Sequence, residues 1–386
     1  MSFVTSGVFH IDDYIDGWTI PGAFYGTPYS SAVVESGGTL ISGTILSGGN
    51  ITVESNGFAI SNTFSGGTLT IENGAHLSGI SIDKSATAIF LSGSNEYYSG
   101  VVLDGGTISA YNSPPYFSWG SNGGALILES GVVDTSENPL AGSASIIVNS
   151  GAQLSSVALS SGNALTVNSG GSVANATINS GATAVFSAGA IESATLNGGT
   201  IDAYNSPPLL SWTSSGGSLI LESGVVDTSE NPPAGAAIID VRSGATLVSA
   251  TLLSENALGI REGAVVSSVT VSSAGNLGVA GFTSSATISN GGMAEIASGG
   301  TAANNTVESG GTILADASGT IGTTTLSSGG TIYASAGAVI SGNVTAERGA
   351  QLTIPSTAGG TVTLAGDGNS DLVITGNTSP TTVISG

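Results

Sequence analysis

The groups best suited to acid–base chemistry in this chain are its carboxylates, and their spacing does not gather them. Polysaccharide cleavage by a hydrolase or lyase needs carboxylates clustered on one face, often with a basic residue or a metal. Glu35, Glu54, Glu129, Glu222, Glu295 and Glu308 are instead dispersed, often beside a glycine turn, and solvated turn positions account for them. Asp134 with Glu137, and Asp227 with Glu230, recur inside two copies of the string DTSENP. Asx and Ser turns ahead of a proline account for that motif without catalysis. His10 and His76 stand isolated, with no Ser/His/Asp arrangement around them. Gly366-Asp367-Gly368-Asn369-Ser370-Asp371 has the Gly/Asp character of a calcium-binding turn, but it occurs once. A plain turn is the reading, with loosely bound calcium as the alternative. The absence of cysteine excludes disulfides and thiolate metal sites. The expectation is therefore no catalytic residue, no resident metal and no cofactor.

Aromatic residues offer a different chemistry. The stretch GGTISAYNSPPYFSWGSNGGALILESGVVDTSENPLAG begins at Gly105, and GGTIDAYNSPPLLSWTSSGGSLILESGVVDTSENPPAG begins at Gly198. The two align at a constant offset of 198 − 105 = 93. Large amphipathic rings stack on sugars or anchor protein partners. On that reading Tyr111, Tyr116, Phe117 and Trp119 form one candidate ligand-binding group, and Tyr204 and Trp212 a second. On the other reading, Trp119 and Trp212 fold back and cover the side of the structure.

The elements that position these groups follow from a regular beat. Gly292, Gly311, Gly330 and Gly349 succeed one another at intervals of 19, each between short apolar runs. Gly151, Gly170 and Gly189 repeat the interval, with Gly162 and Gly181 half a period out of step. A period of this length marks a repeat architecture. Within a period, apolar and small polar residues alternate. In TLTIE (68–72), Leu69 and Ile71 face one way while Thr68 and Thr70 face the other. One period holds about two strands, stacked in parallel on its neighbours at about 4.8 Å, giving roughly 15–18 coils. The expected fold is an all-β parallel β-solenoid.

Residues 1–32 do not keep the beat and are rich in aromatics, including Phe3, Trp18, Phe24 and Tyr29. An open solenoid end exposes strand edges and core, so this segment is expected to be an N-terminal cap. Residues 33–386 form the solenoid. Residues 105–142 and 198–235 are expected as loop excursions, because paired prolines such as Pro114-Pro115 cannot donate to a central ladder. The last residues end in plain repeat, implying further coils or another domain beyond Gly386.

Charge narrows the partners. Lys and Arg number 4 against 26 Asp and Glu, a net charge of −22. Phosphate backbones and anionic lipids need basic patches, and Lys84, Arg242, Arg261 and Arg348 are widely scattered. Nucleic acid and direct membrane insertion are not expected. The N-terminus has neither the basic nor the apolar region of a signal peptide, and no apolar run is long enough for a membrane-spanning helix.

The strings Val34-Glu35-Ser36-Gly37-Gly38-Thr39, Val307-Glu308-Ser309-Gly310-Gly311-Thr312 and Leu326-Ser327-Ser328-Gly329-Gly330-Thr331 resemble the strand-loop-strand repeats of AIDA-type self-associating autotransporter passengers. The resemblance covers about three quarters of the chain. It implies a right-handed β-helix at the bacterial cell surface or secreted from it. It further implies adhesion, self-association or biofilm formation through like copies, surface glycans or proteins. It also implies O-linked heptose added by a glycosyltransferase, for which Ser309, Thr312, Ser328 and Thr331 are the candidate acceptors. Unlike such passengers, the chain shows neither a signal peptide nor a translocator barrel. Two other classes stay open: a polysaccharide-active β-helix enzyme with its site in the duplicated loops, and a passive stalk presenting another domain.

Overall fold

In each Ser-Gly-Gly turn the two glycines meet different physical demands. Gly310 and Gly329 sit at φ +77° and +78°, a left-handed conformation that costs glycine nothing. Gly311 is needed for close approach: a Cβ there would lie 2.2 Å from the Ile288 carbonyl oxygen of the preceding coil. The first glycine turns the chain and the second lets successive coils touch.

The computed structural model describes residues 8–17, 19–20, 31–91, 98–112, 117–205, 210–365 and 370–386. Every regular element among them is a β-strand, and the strand pairings are parallel, making a β-solenoid. The chain divides into two compact units, Met1–Ala194 and Thr195–Gly386.

In the first unit, one side is a continuous ladder that begins with Val8–Ile11, Ser31–Val34 and Asn50–Val53. It continues through Gly67–Ile71, Ala86–Phe90, Thr107–Ala110, Gly124–Leu128 and Ala144–Val148. Up to Asp104 each coil also has two short strands, as in Thr39–Ile41 followed by Thr44–Ile45. The expected count of two strands per period is therefore three in these coils. The cause is a left-handed residue at the corner: Ser42 and Ser61 adopt φ +54° and +57°, and Gly79 +63°. Beyond Val133 no left-handed residue interrupts the second side, and single strands such as Gln153–Leu159 and Ser172–Asn179 run through the bend.

The second unit keeps the two-sided plan. Thr200–Tyr204, Gly217–Leu221 and Ala237–Val241 lead the long side, which runs on to Asp371–Thr375. Val226–Asp227, Thr246–Leu252, Val265–Val271, Phe282–Ile288, Thr301–Val307 and Thr320–Leu326 form the other. In both units the core is made of inward columns of Val, Ile, Leu and Ala, with Phe64 and Phe186 among the largest fully buried side chains. The burial strings alternate as the sequence pattern requires, for instance in Thr312–Ala315.

The described part of the N-terminal segment also joins the ladder. Val8–Ile11 pairs with Ser31–Val34, and Tyr14–Asp16 with Thr39–Ile41. Phe3, Trp18, Phe24 and Tyr29 lie outside the described residues. The two copied segments depart from the ladder less than their boundaries implied. Within 105–142 and 198–235, Thr107–Ala110, Gly124–Leu128, Thr200–Tyr204 and Gly217–Leu221 are all regular rungs. The strands on either side of each proline pair keep their own amides in the ladder. The proline pairs themselves, and Tyr116, fall outside the described residues.

Corners are closed by buried asparagines. Asn256 is fully buried; its Oδ1 accepts from the Leu253 amide at 2.8 Å, and its Nδ2 donates to Pro233 O at 2.9 Å and Gly235 O at 2.8 Å. Asn62 does the same work in the first unit, accepting from the Gly43 amide at 2.6 Å and donating to Leu40 O at 3.0 Å. Asn256→Ala strands three backbone groups in the interior, and stability is expected to fall by about 3 kcal/mol. A denaturant midpoint unchanged from wild type would refute this.

Candidate functional site

The two YNSPP segments share more than aromatics. In the first unit the ladder of short strands ends at Ser118–Trp119, and a different ladder starts at Val133–Asp134. Trp119 is in register with core residue Leu103 and so takes an inward position. Its indole Nε1–H crosses the interruption and donates to Glu137 Oε2 at 2.6 Å. Glu137 is held by its own backbone: its amide donates to Ser156 O and its carbonyl accepts from the Ala158 amide. In the second unit Trp212 Nε1–H donates to Glu230 Oε2 at 2.5 Å, and Val226–Asp227 starts the next ladder.

Each of these glutamates sits beside a buried aspartate. Glu137 and Glu230 are 7% and 4% exposed, and Asp134 and Asp227 are each 4% exposed. Asp134 Oδ1 accepts from the amide of the next residue, Thr135, at 2.7 Å. Its Oδ2 is buried without a fixed donor, as is that of Asp227. Burial raises the aspartate carboxyls above their ordinary range. Burial, with the neighbouring aspartate charge, pushes Glu137 and Glu230 up to about 8. At neutral pH each glutamate therefore holds a proton, and that proton is the movable donor beside the aspartate. Two acids sharing a proton are a latch; the duplicated turn motif does more than turn.

The residues singled out from sequence are distributed as follows. Phe117 and Trp119 come together edge to face, with ring centroids 5.2 Å apart. Tyr111 is 38% exposed. Tyr204 is half-buried, and its hydroxyl donates to Asp202 Oδ2 at 3.3 Å, whose charge raises the phenol above its usual range. Ser309 and Ser328 are exposed at stacked turns, while Thr312 and Thr331 are direct register partners on the outer surface. Among the described residues, no group of three or more His, Cys, Asp or Glu is placed to hold a metal. Gly366–Asn369 of the Gly/Asp turn lie outside the described residues.

Three features escaped sequence reading. The histidines are not isolated: His10 Nδ1 lies 2.6 Å from Glu35 Oε1, and His76 stacks on Phe58 with centroids 4.5 Å apart. Two of the scattered basic residues meet. Arg242 contacts Glu222 and Asp240, and Arg261 Nε donates to Asp240 at 2.5 Å. Their interval of 19 residues, one coil, carried that signal.

The third is a column of hydroxyls in the second unit. Thr251, Thr270, Thr287, Thr306, Thr325, Thr345, Thr363 and Ser385 are successive register partners. Thr251 through Thr345 face outward between buried neighbours. Thr345, Thr363 and Ser385 hydrogen-bond to Asn343 or to one another. The side chains of Thr251 through Thr325 make no hydrogen bond with the described residues.

No protein-family model matches the chain, and no curated protein sequence matches it. Among solved structures, the chain is similar to a crystal structure of a TibC-catalysed hyper-glycosylated fragment of TibA, residues 55–350 of that protein. The sequences are 24% identical, the TM-score is 0.38, and the match covers 97% of this chain and 99% of that one.

Proposed function

We propose that this chain is a non-enzymatic, extracellular β-solenoid of the self-associating adhesin type, acting at a bacterial cell surface. The observation that carries the reading is the hydroxyl column from Thr251 to Thr325. Five outward hydroxyls, repeated at the rung spacing of about 4.8 Å, have no hydrogen-bond partner among the described residues. Such a row offers both donors and acceptors to a like surface or to an extended glycan. The strand-loop-strand repeats of the sequence agree with this reading. In the same reading, 1–32 caps the solenoid, and Ser309, Thr312, Ser328 and Thr331 are accessible acceptors for O-linked sugar. Tyr111 and the neighbouring aromatic residues add a secondary contact surface.

The test is a cell-aggregation assay with the protein displayed on the surface. Wild type is expected to clump cells. Thr287→Val, Thr306→Val and Thr325→Val together are expected to reduce clumping several-fold with melting unchanged, since Val keeps the shape and strand preference of Thr. A strictly monomeric, non-clumping wild type sinks the adhesion reading; full clumping by the triple variant removes the threonine column from it.

A further inference from the structure

In the first unit an open cleft of about 710 Å³ lies where Ser81–Asp83 and Val102–Asp104 turn toward the long side. A smaller hollow of about 370 Å³ shares Asp104 with it. Asp83 and Asp104 are direct register partners on adjacent rungs, so two acidic side chains leave the same face from backbones about 4.8 Å apart, Asp83 accepting from the Ser81 and Ser65 hydroxyls. Like charges directly opposite one another are destabilising, and the chain has few charges to place at all. Asp104 is fixed in position: its Oδ1 accepts from the Asn122 amide at 2.9 Å and its Oδ2 from Asn122 Nδ2 at 2.8 Å. These bonds hold its carboxyl below the usual range. Lys84, at the lip, is exposed and has no hydrogen-bond or ion-pair partner among the described residues. The floor is Gly105, Gly106, Gly124 and Ala125, nearly bare of side chains.

The chain carries its own control for this cleft. The duplicated segments differ at few positions, and several of those line the hollow. At the constant offset of 93, Asp104 corresponds to Asn197, Gly120 to Thr213, Asn122 to Ser215 and Ala125 to Ser218. In the second copy Thr213 fills the space and satisfies itself, its Oγ1 donating to Asn197 Oδ1 at 2.8 Å. In the first copy Gly120 has no side chain and the Asp104 carboxylate stands in its place: a Cβ on Gly120 would come within 2.3 Å of Asp104 Oδ1. The first copy thus combines a missing side chain with a fixed carboxylate where the second has a closed neutral pair.

We propose that this cleft binds a neutral hexopyranose unit of a surface glycan, an assignment that rests on the glycan branch of the function proposed above. Carboxylate oxygens of Asp83 and Asp104 accept from adjacent sugar hydroxyls. The Lys84 ammonium and the Ser145 hydroxyl donate to sugar oxygens. The glycine floor receives a flat ring. Two carboxylates against one ammonium, in a chain of net charge −22, repel an anionic sugar.

The experiment titrates the full chain with methyl mannoside, methyl galactoside, methyl glucoside and methyl glucuronoside, read by saturation-transfer NMR. The comparison is the triple variant Asp104→Asn, Gly120→Thr, Asn122→Ser, which carries residues the second copy already folds with. Wild type is expected to bind at least one neutral glycoside saturably. The variant is expected to bind it at least tenfold more weakly with unchanged melting, and the glucuronoside at least tenfold more weakly than the neutral sugar. No saturable binding of any neutral glycoside, equal binding by the variant, or equal binding of the glucuronoside overturns the assignment. Clumping scored in parallel keeps the two readings apart: clumping without sugar binding overturns the cleft alone, and sugar binding without clumping overturns the adhesion reading alone.

Discussion

Raising the pH from 5 to 9 is expected to lower the melting temperature of the wild-type chain, and Glu137→Gln with Glu230→Gln is expected to remove most of that decline. In the unfolded chain each glutamate ionises near 4.5, whereas in the fold it ionises near 8. The folded state therefore binds the proton more tightly than the unfolded state. The contribution is fully present below about pH 4.5, and it is lost as the pH rises toward and through 8. Asp134 and Asp227 are shifted upward too, so they act with the same sign. Each acid pair titrates as a unit. By linkage the loss is on the order of 3–5 kcal/mol per site, or roughly 10 °C for a unit of this size. A glutamine keeps both bonds at every pH: its carbonyl accepts from the indole, and its amide donates toward the aspartate. Melting curves at constant ionic strength between pH 5 and 9 measure the difference. An equally steep decline in the double variant would locate the cause in other groups.

Trp119→Ala and Trp212→Ala should each lower stability by about 3 kcal/mol, the low end of the scale for truncating a large aromatic, because both rings are half-buried. The loss has two parts. The inward ring is removed beside Leu103 in the first copy, and a buried glutamate loses its indole donor in both. Trp→Phe at the same positions separates the two parts. It keeps most of the packing and drops the N–H, and should cost about 1–2 kcal/mol. Thermal unfolding of the four single variants reads both effects. Melting unchanged in the alanine variants, with adhesion lost, would instead assign the indoles to partner recognition.

Much of the fold was legible because it depends on local chemistry. Paired glycines such as Gly310-Gly311 mark a turn and a close approach, and alternating runs such as TLTIE mark half-buried strands. The third strand per coil in the early region was not legible, because it depends on Ser42 and Ser61 adopting a left-handed conformation that serine seldom takes. The threonine column was hidden by uneven coils. Register steps of 17 from Thr270 to Thr287, 19 from Thr287 to Thr306 and 20 from Thr325 to Thr345 defeat any fixed count. The indole–carboxyl bonds could have been found. Trp119 and Glu137, like Trp212 and Glu230, are 18 residues apart, close to one coil, and both pairs survive duplication. They were overlooked because DTSENP has a sufficient local explanation as a turn, and burial of Glu137 depends on the coil beneath it. The cleft was invisible for a related reason: Asp83 and Asp104 become neighbours only through register.

The interrupted ladders bear on how the chain yields to force. Elsewhere among the described residues of each unit, ladders on more than one side join a coil to the next. Between Trp119 and Val133, and again between Trp212 and Val226, the described ladder is that of the long side, and an indole–carboxyl bond crosses the gap, joined in the first unit by the Ser143 hydroxyl on Asn122 O. Load carried from coil to coil would concentrate there. Under shear each unit would then part first at its own joint. Because the glutamate's own proton leaves near pH 8 and sets two buried carboxylates side by side, the load each joint bears would fall in alkaline surroundings.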